Sequence, residues 1–238
     1  MNRVERIRDE EKKYHDACYE EHKLFEPGSW LHRPVQTVLE VLEQFKDYKQ
    51  LNVLDLGAGI GRNSIPIAQS LVGRQGRVVC VDLLESAIAG LLENSKQFGV
   101  ESYIDARLSD IEHFNIASSE YDFIVAVSAL EHVSSEAVLA DKLGEMVRGT
   151  KQGGIHCIII GSNIQEHALY TNAELDPMFE VNISTERMLQ LLDVQYASWD
   201  VQRRHVRTLV YDIDRNGIPV KLTTDCITFV ARDKREED

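Results

Sequence analysis

From residue 51 onward the chain alternates short apolar runs with amphipathic stretches. The runs are Leu51–Leu56, Arg77–Val81, Tyr103–Leu108, Asp122–Val127 and Ile155–Ile160. Apolar positions at helical spacing predict helices near 63–72, 84–98 and 135–149, with a further one near 184–193. Near-continuous runs of Val, Ile and Leu suit strands buried on both faces. Their alternation with helices predicts a parallel sheet covered on both sides. The tail breaks the rule. Two β-rich stretches, about 197–212 and 219–231, are joined by Asp214-Arg215-Asn216-Gly217. Asn-Gly between such runs signals a hairpin, because both central residues of a type I′ turn need positive φ. The expectation is therefore an α/β domain whose sheet has five parallel strands and ends in an antiparallel hairpin.

The first 48 residues stand apart from this pattern. Residues 1–24 are charged and helix-favouring, with Tyr14, His15, Tyr19 and His22 interleaved, and residues 25–34 form a break rich in Pro and Gly. Val38, Leu39, Val41, Leu42 and Phe45 then recur at helical spacing. This gives one domain, 1–238, with a helical cap over 1–48 and a core over 49–238. The stretch 163–183 is long for a connection in a compact domain, which points to a functional or substrate-covering loop. His167, Tyr170, Asp176 and Phe179 in it are candidates to touch a substrate.

A length of 238 residues allows one sizeable core, and 43% hydrophobic with 27% charged residues is ordinary for a globular chain. The formal charge of −13 argues against a general nucleic-acid surface, which needs basic residues to displace phosphate counterions. No apolar stretch approaches the roughly 18 residues that span a bilayer, and the charged N-terminus has no signal-like apolar stretch. The four cysteines form no CxxC pair, and the histidines, His113, His156 and His205 among them, show no metal-ligand spacing. The expectation is thus reduced thiols, no metal and a cytoplasmic setting.

The candidate chemistry begins where the first core strand ends. Val53-Leu54-Asp55-Leu56-Gly57-Ala58-Gly59-Ile60-Gly61 reads as a strand running into a G-x-G-x-G loop. Asn63 is placed to cap the following helix, and Pro66 falls in its first turn, where a missing N–H is tolerated. Open α/β sheets bind ligands at this end of the strands. The dinucleotide fingerprint is weakened because Arg62 stands where a third spaced glycine belongs. The P-loop is weakened because no Lys-Ser/Thr follows Gly61. The plainer alternative is a tight strand–helix turn. Against it stand Asp82, at the end of Val78-Val79-Cys80-Val81 and suited to accept from both ribose hydroxyls, and Asp110, at the end of the next strand region. Asp110 can accept from an adenine amino group while the Ile111 N–H donates to a ring nitrogen.

Val53 to Ser64, together with the spacing to Asp82, to Asp110 and to Tyr121-Asp122-Phe123-Ile124-Val125-Ala126-Val127-Ser128, resembles the class I S-adenosylmethionine-dependent methyltransferases over about residues 50–165. Gly-Arg-Asn-Ser at 61–64 is similar to the tellurite-resistance and thiopurine-type small-molecule enzymes. The resemblance implies a doubly wound, seven-stranded, mostly parallel Rossmann-like methyltransferase fold and S-adenosyl-L-methionine as cofactor. It also implies roles. Asp55 and the backbone at Gly57 and Gly59 meet the methionine end, with Ala58 and Gly61 in the same binding set. Asp82 holds the ribose, Leu83 packs on the adenine, and Asp110 and Ile111 read its edge. Ser128 offers its carbonyl to the cofactor's ammonium.

Methyl transfer from a sulfonium is an in-line displacement, so alignment is the protein's main task. His132, just after the fourth strand, is the candidate general base, with packing against the cofactor as its plainer role. Glu131 reads as a solvated neighbour. Tyr14, Tyr19, Trp30, His32 and Arg33 combine aromatic faces with donors and suit a lid that contacts the substrate. The function expected is methyl transfer to a small molecule. The alternatives are a nicotinamide-dependent oxidoreductase, a non-catalytic cofactor-binding protein, and an aminopropyl transferase, for which no acidic diamine-binding set is identifiable.

Overall fold

A computed structural model describes residues 2–215 and 217–234. Its sheet contains β1 (Gln50–Leu56), β2 (Gln75–Asp82), β3 (Ile104–Leu108), β4 (Tyr121–Val127), β5 (Thr150–Ala168), β7 (Asp200–Arg215) and β8 (Ile218–Arg232). They lie in the order β3-β2-β1-β4-β5-β8-β7, and a two-residue β6 (Glu174–Leu175) pairs with β5 off this path. The first five are parallel, and β8 and β7 are antiparallel, as the sequence pattern predicts. The helices are α1 (Arg3–Glu21), α2 (Gln36–Leu42), α3 (Ser64–Ser70), α4 (Glu85–Gln97), α5 (Glu136–Gly149) and α6 (Thr185–Gln195).

The period-2 geometry of a strand sends alternate side chains to opposite faces, and here each face has its own core. Val53, Val78, Phe123, Val125 and Cys157 meet Val38, Ile65 and Leu91 from α2–α4, and Phe45 just after α2, on one side. Leu54, Leu56, Ile124, Ala126 and Ile158 meet Leu139, Leu143, Met146, Met188 and Leu192 from α5 and α6 on the other. Every residue of β4 is buried, as a central strand covered on both faces requires. β3 is only partly buried, because it is the edge of the sheet. Cys80 and Cys157 are buried and free, packed as small hydrophobes.

Three details depart from the sequence reading. First, β5 runs on to Ala168, since pairing with β8 continues through Ala168↔Val220 after β4 has ended. The first six residues of the expected 163–183 loop are therefore strand, and β6 folds back on them. Second, Asn63 occupies the cap position of α3, but its side chain accepts the amide of Val35 at 3.0 Å instead of capping. This ties the N-terminal segment to the glycine loop. Third, Asn216, the first residue of the expected turn, lies outside the described residues. Around it Arg215 pairs with Ile218, and the Gly217 N–H donates to Asp214 at 2.7 Å.

The N-terminal segment is helical, and Asn2 and Glu5 form a capping box at its start, each side chain accepting the other's amide at 2.9 Å. α1 is held at the carboxyl ends of the parallel strands by ion pairs. Arg3 and Arg6 reach Asp176, each at 3.1 Å, and Arg3 also donates to the carbonyls of Pro177 and Phe179. The helical cap and the β5–α6 connection thus close over one end of the sheet together. Among the described residues, no helix is long and apolar enough to cross a membrane.

Candidate active site

The glycine loop leaves β1 and folds at once against β2: the N–H groups of Gly57 and Ala58 both donate to the Val81 carbonyl, at 2.9 and 3.1 Å. Gly57 has φ +73°, and a Cβ there would lie 2.4 Å from the Cβ of Ala129. Only glycine lets the strand turn this close to the segment after β4. A Cβ on Gly59, at φ +54°, would meet the Tyr19 hydroxyl at 3.1 Å, so α1 lies directly over the loop. Gly61 continues the turn, its N–H on Ala58 and its carbonyl accepting from Ile65 as α3 begins.

Asp82 ends β2 beside this loop. One of its oxygens accepts the Gly59 N–H at 2.8 Å and the other the Leu84 N–H at 3.0 Å. Each carboxylate oxygen keeps a further lone pair for a ligand. Leu83 is among the exposed large hydrophobic residues, an apolar surface beside the acid. Asp110 accepts from the Glu112 N–H at 2.9 Å through one oxygen, while the other faces Arg8 of α1 at 2.8 Å. Ile111 is buried in the core beside it. Asp55 is fully enclosed, and Ser64 donates to it at 2.5 Å. Burial drives its carboxyl up to about 7, against the opposing pull of the Ser64 hydrogen bond and the Arg62 charge.

Ser128 closes the same end of the sheet. It is exposed between buried neighbours and takes φ +50°, a conformation a non-glycine residue rarely adopts. Its N–H is held by the Ile159 carbonyl at 2.8 Å. A backbone turned this way at the end of a core strand is the kind of local strain that clusters at ligand sites.

The short turn Leu130–His132 follows. His132 Nδ1 lies 3.0 Å from Glu180 Oε2, and its ring stacks on Phe179 at 5.5 Å between centroids. Burial disfavours its charge, but the Glu180 hydrogen bond and the charges of Glu11 and Glu131 outweigh that and carry its pKa up to about 9. At neutral pH it is an imidazolium, a proton donor and cation. Glu131, expected in solvent, is instead 3% exposed. One oxygen accepts the Gly161 N–H at 3.1 Å, and the other is buried without a hydrogen-bond partner. The helical pattern could not show this, because Glu131 sits in a turn and not on an amphipathic face.

The lid candidates separate into two groups. Tyr14, Tyr19 and Trp30 join His15 in one ring cluster, with centroids 5.3–6.3 Å apart. The guanidinium of Arg62 lies 5.0 Å over Trp30 and donates to the Trp30 carbonyl at 3.1 Å. His32 and Arg33 lie outside that cluster, and Arg33 is exposed. Of the loop candidates, Phe179 and Asp176 take part in the closure, whereas Tyr170 is exposed and His167 is paired in the sheet opposite Glu174. His156 is structural, bridging Thr150 and Tyr196 in the core.

Comparison with known families matches residues 53–154 to the model described as a methyltransferase domain. The match spans β1 to the start of β5 and so contains the glycine loop, Asp82, Asp110 and Glu131. The chain is 33% identical over 116 residues to phosphoethanolamine N-methyltransferase 1 of Zea mays, a match that covers 48% of this chain and 22% of that protein. It therefore spans about a fifth of the length of that relative. Among solved structures it resembles TehB from Haemophilus influenzae, with 24% identity, a TM-score of 0.56, and 82% of this chain and 62% of that one covered. It also resembles the N-methyltransferase NodS from Bradyrhizobium japonicum, solved with S-adenosyl-L-homocysteine, with 14% identity, a TM-score of 0.58, and 95% and 100% covered. These structural likenesses establish the Rossmann-like fold shared with methyltransferases.

Beyond the matched segment's own motif, sequence reasoning missed Arg8, Glu11, Glu180 and Arg215, which lie far from it in the chain. Arg215 makes two hydrogen bonds to Glu166, at 2.7 and 3.2 Å. The only signal available was composition: an N-terminal helix dense in both charge signs beside interleaved aromatic residues.

Proposed function

We propose that this chain transfers a methyl group from S-adenosyl-L-methionine to a small-molecule acceptor. The observation that carries this reading is Asp82, presented at the end of β2 with its oxygens oriented by the Gly59 and Leu84 amides beside the glycine loop. The donor set fits the cofactor, which has a cationic amino acid end, a ribose diol and an adenine, and no phosphate. Asp55, the loop from Gly57 to Gly61 and the Ser128 carbonyl would hold the amino acid end. Asp82 would hold the ribose, Leu83 would cover the adenine, and Asp110 with the Ile111 N–H would read its edge. When bound, the cofactor supplies a methyl carbon already activated by a sulfonium. The chain's task is then to orient the acceptor and exclude water, which α1, Tyr19, Trp30 and the 176–180 segment are placed to do.

His132 lies on the acceptor side. Its raised pKa supports a cationic or proton-donating role at neutral pH over that of a base. The charge of −13 and the absence of a basic groove in the sequence pattern support a metabolite, not a nucleic acid, as acceptor. A reducing, cytoplasmic setting accords with the buried free thiols of Cys80 and Cys157.

Calorimetric titration with S-adenosylhomocysteine and, separately, with nicotinamide dinucleotides tests the cofactor. Saturable binding of the first is expected; binding of a dinucleotide alone would sink the reading. A labelled-methyl transfer screen against a metabolite extract, read by mass detection, then tests turnover.

A further inference from the structure

The acceptor side of the site holds several charged groups, and almost all are accounted for in pairs. Arg8 faces Asp110 at 2.8 Å, His132 faces Glu180 at 3.0 Å, Arg215 faces Glu166 at 2.7 Å and His15 lies 3.5 Å from Glu11. Glu131 is left over. It is nine-tenths buried and more, its Oε1 accepts the Gly161 N–H, and its Oε2 has no hydrogen-bond partner. It lies within electrostatic reach of His132, whose charge favours the carboxylate, and of Glu11, which opposes it more weakly. Burial pushes its pKa up, against the opposing charge of His132 and the Gly161 hydrogen bond. Such an orphaned oxygen is costly to keep, and its native use calls for an explanation.

We propose that Glu131 Oε2 is the docking point for the amino group of the methyl acceptor, which makes the acceptor a small amine. This rests on the methyltransferase reading of the site. One free oxygen suits the ligand's geometry. A guanidinium prefers both carboxylate oxygens at once, and Oε1 is already engaged. A metal ion needs several ligands, and among the described residues no group of three or more His, Cys, Asp or Glu is placed to hold one. An ammonium is a compact donor that binds a single oxygen well. Glu11 adds negative charge on the α1 side, and the Phe179 ring on His132 supplies an apolar wall for the rest of the molecule.

The test uses the full-length protein saturated with S-adenosylhomocysteine and titrated by calorimetry at about pH 8, where alkylamines remain charged. The probes are n-butylamine, n-butanol and butyrate, matched in length and differing in the polar head. Saturable binding of the amine alone is expected. Glu131→Gln weakens the amine at least tenfold while leaving S-adenosylhomocysteine affinity within twofold, which also reports that the variant is folded. Glu11→Gln, on the outer helix, weakens the amine about threefold and carries the test if Glu131→Gln does not fold. Equal binding of the three probes, no binding of the amine, or full amine affinity in these variants overturns the proposal. Failure of the underlying reading shows up separately, as wild-type protein that does not bind S-adenosylhomocysteine.

Discussion

The guanidinium of Arg8 lies 2.8 Å from the carboxylate of Asp110, joining the N-terminal helix to the end of the third strand. Its Nε is also 3.6 Å from Glu180, the partner of His132. One side chain thus connects α1, the expected adenine-reading acid and, through Glu180, His132. The pair is partly solvated, so its contribution to global stability is modest, about 1 kcal/mol or less. Its effect is local. Arg8→Ala is expected to lower the melting temperature only slightly and to raise amide exchange selectively across α1. Saturation with S-adenosylhomocysteine restores much of the protection. Unchanged exchange in α1 would show that Arg8 does not hold the helix down.

Asp55 makes a pH-dependent prediction with a definite sign. Its folded-state pKa is raised from an ordinary 3.8 to about 7, first by burial and against the help of Ser64 and Arg62. Below its unfolded pKa the group is neutral in both states and carries no ionic penalty. As pH rises through the folded pKa, stability is lost, up to about 4 kcal/mol by linkage. Asp55→Asn removes that loss. Ligand-free Asp55→Asn is therefore expected to melt above wild type near pH 8 and level with it near pH 4. Its stabilisation by S-adenosylhomocysteine is expected to be smaller, since the carboxylate proposed to meet the ligand's ammonium is gone. A melting difference that does not vary with pH would contradict the burial argument.

The architecture was legible because its signals are local. The apolar runs at β1, β2 and β4 are buried on both faces, and such runs announce themselves by composition alone. The grouping of the glycine loop with two acids was legible for a related reason: Gly57–Gly61, Asp82 and Asp110 follow successive strands at the same end, so strand order places them together. The surroundings of His132 were not. Glu131 was misread because a charged residue in a short turn has no periodicity to report its burial, and only the Gly161 amide on the neighbouring strand reveals where it points. Glu180 and Arg8 meet at a separation in sequence that no spacing rule spans. The extension of β5 was hidden because its partner, β8, comes some fifty residues later. Arg62 was read for the fingerprint it breaks, whereas its side chain stacks on Trp30 and ties the N-terminal segment to the loop.

Gly57 offers a test of the loop independent of any ligand. Its φ is +73° and a Cβ would stand 2.4 Å from Ala129 Cβ, so Gly57→Ala meets both backbone strain and overpacking. Together these are expected to destabilise by about 2–4 kcal/mol. Adding Ala129→Gly relieves the clash and leaves the strain, so the double variant recovers about half of the loss. Chemical denaturation of the single and double variants measures this. Additive losses would mean that the two residues do not touch.

His132 supplies the last prediction. Its pKa is raised from 6.5 to about 9, with burial opposing the charge and Glu180, Glu11 and Glu131 overcoming it. The group therefore contributes stability that is complete below about pH 6.5 and is lost as pH climbs through 9. The difference amounts to at most about 3 kcal/mol, reduced because water reaches a quarter of the side chain. Nitrogen-detected NMR titration of the imidazole in the unliganded protein is expected to give a midpoint near 9 in wild type. Glu180→Gln should move it down by a unit or more, because it removes both a hydrogen bond and a charge while Glu11 and Glu131 remain. Denaturant midpoints should follow, with the alkaline loss of stability shallower and shifted to lower pH in the variant. A wild-type imidazole that titrates near 6.5 would remove the imidazolium from the site at neutral pH and return His132 to the list of candidate bases.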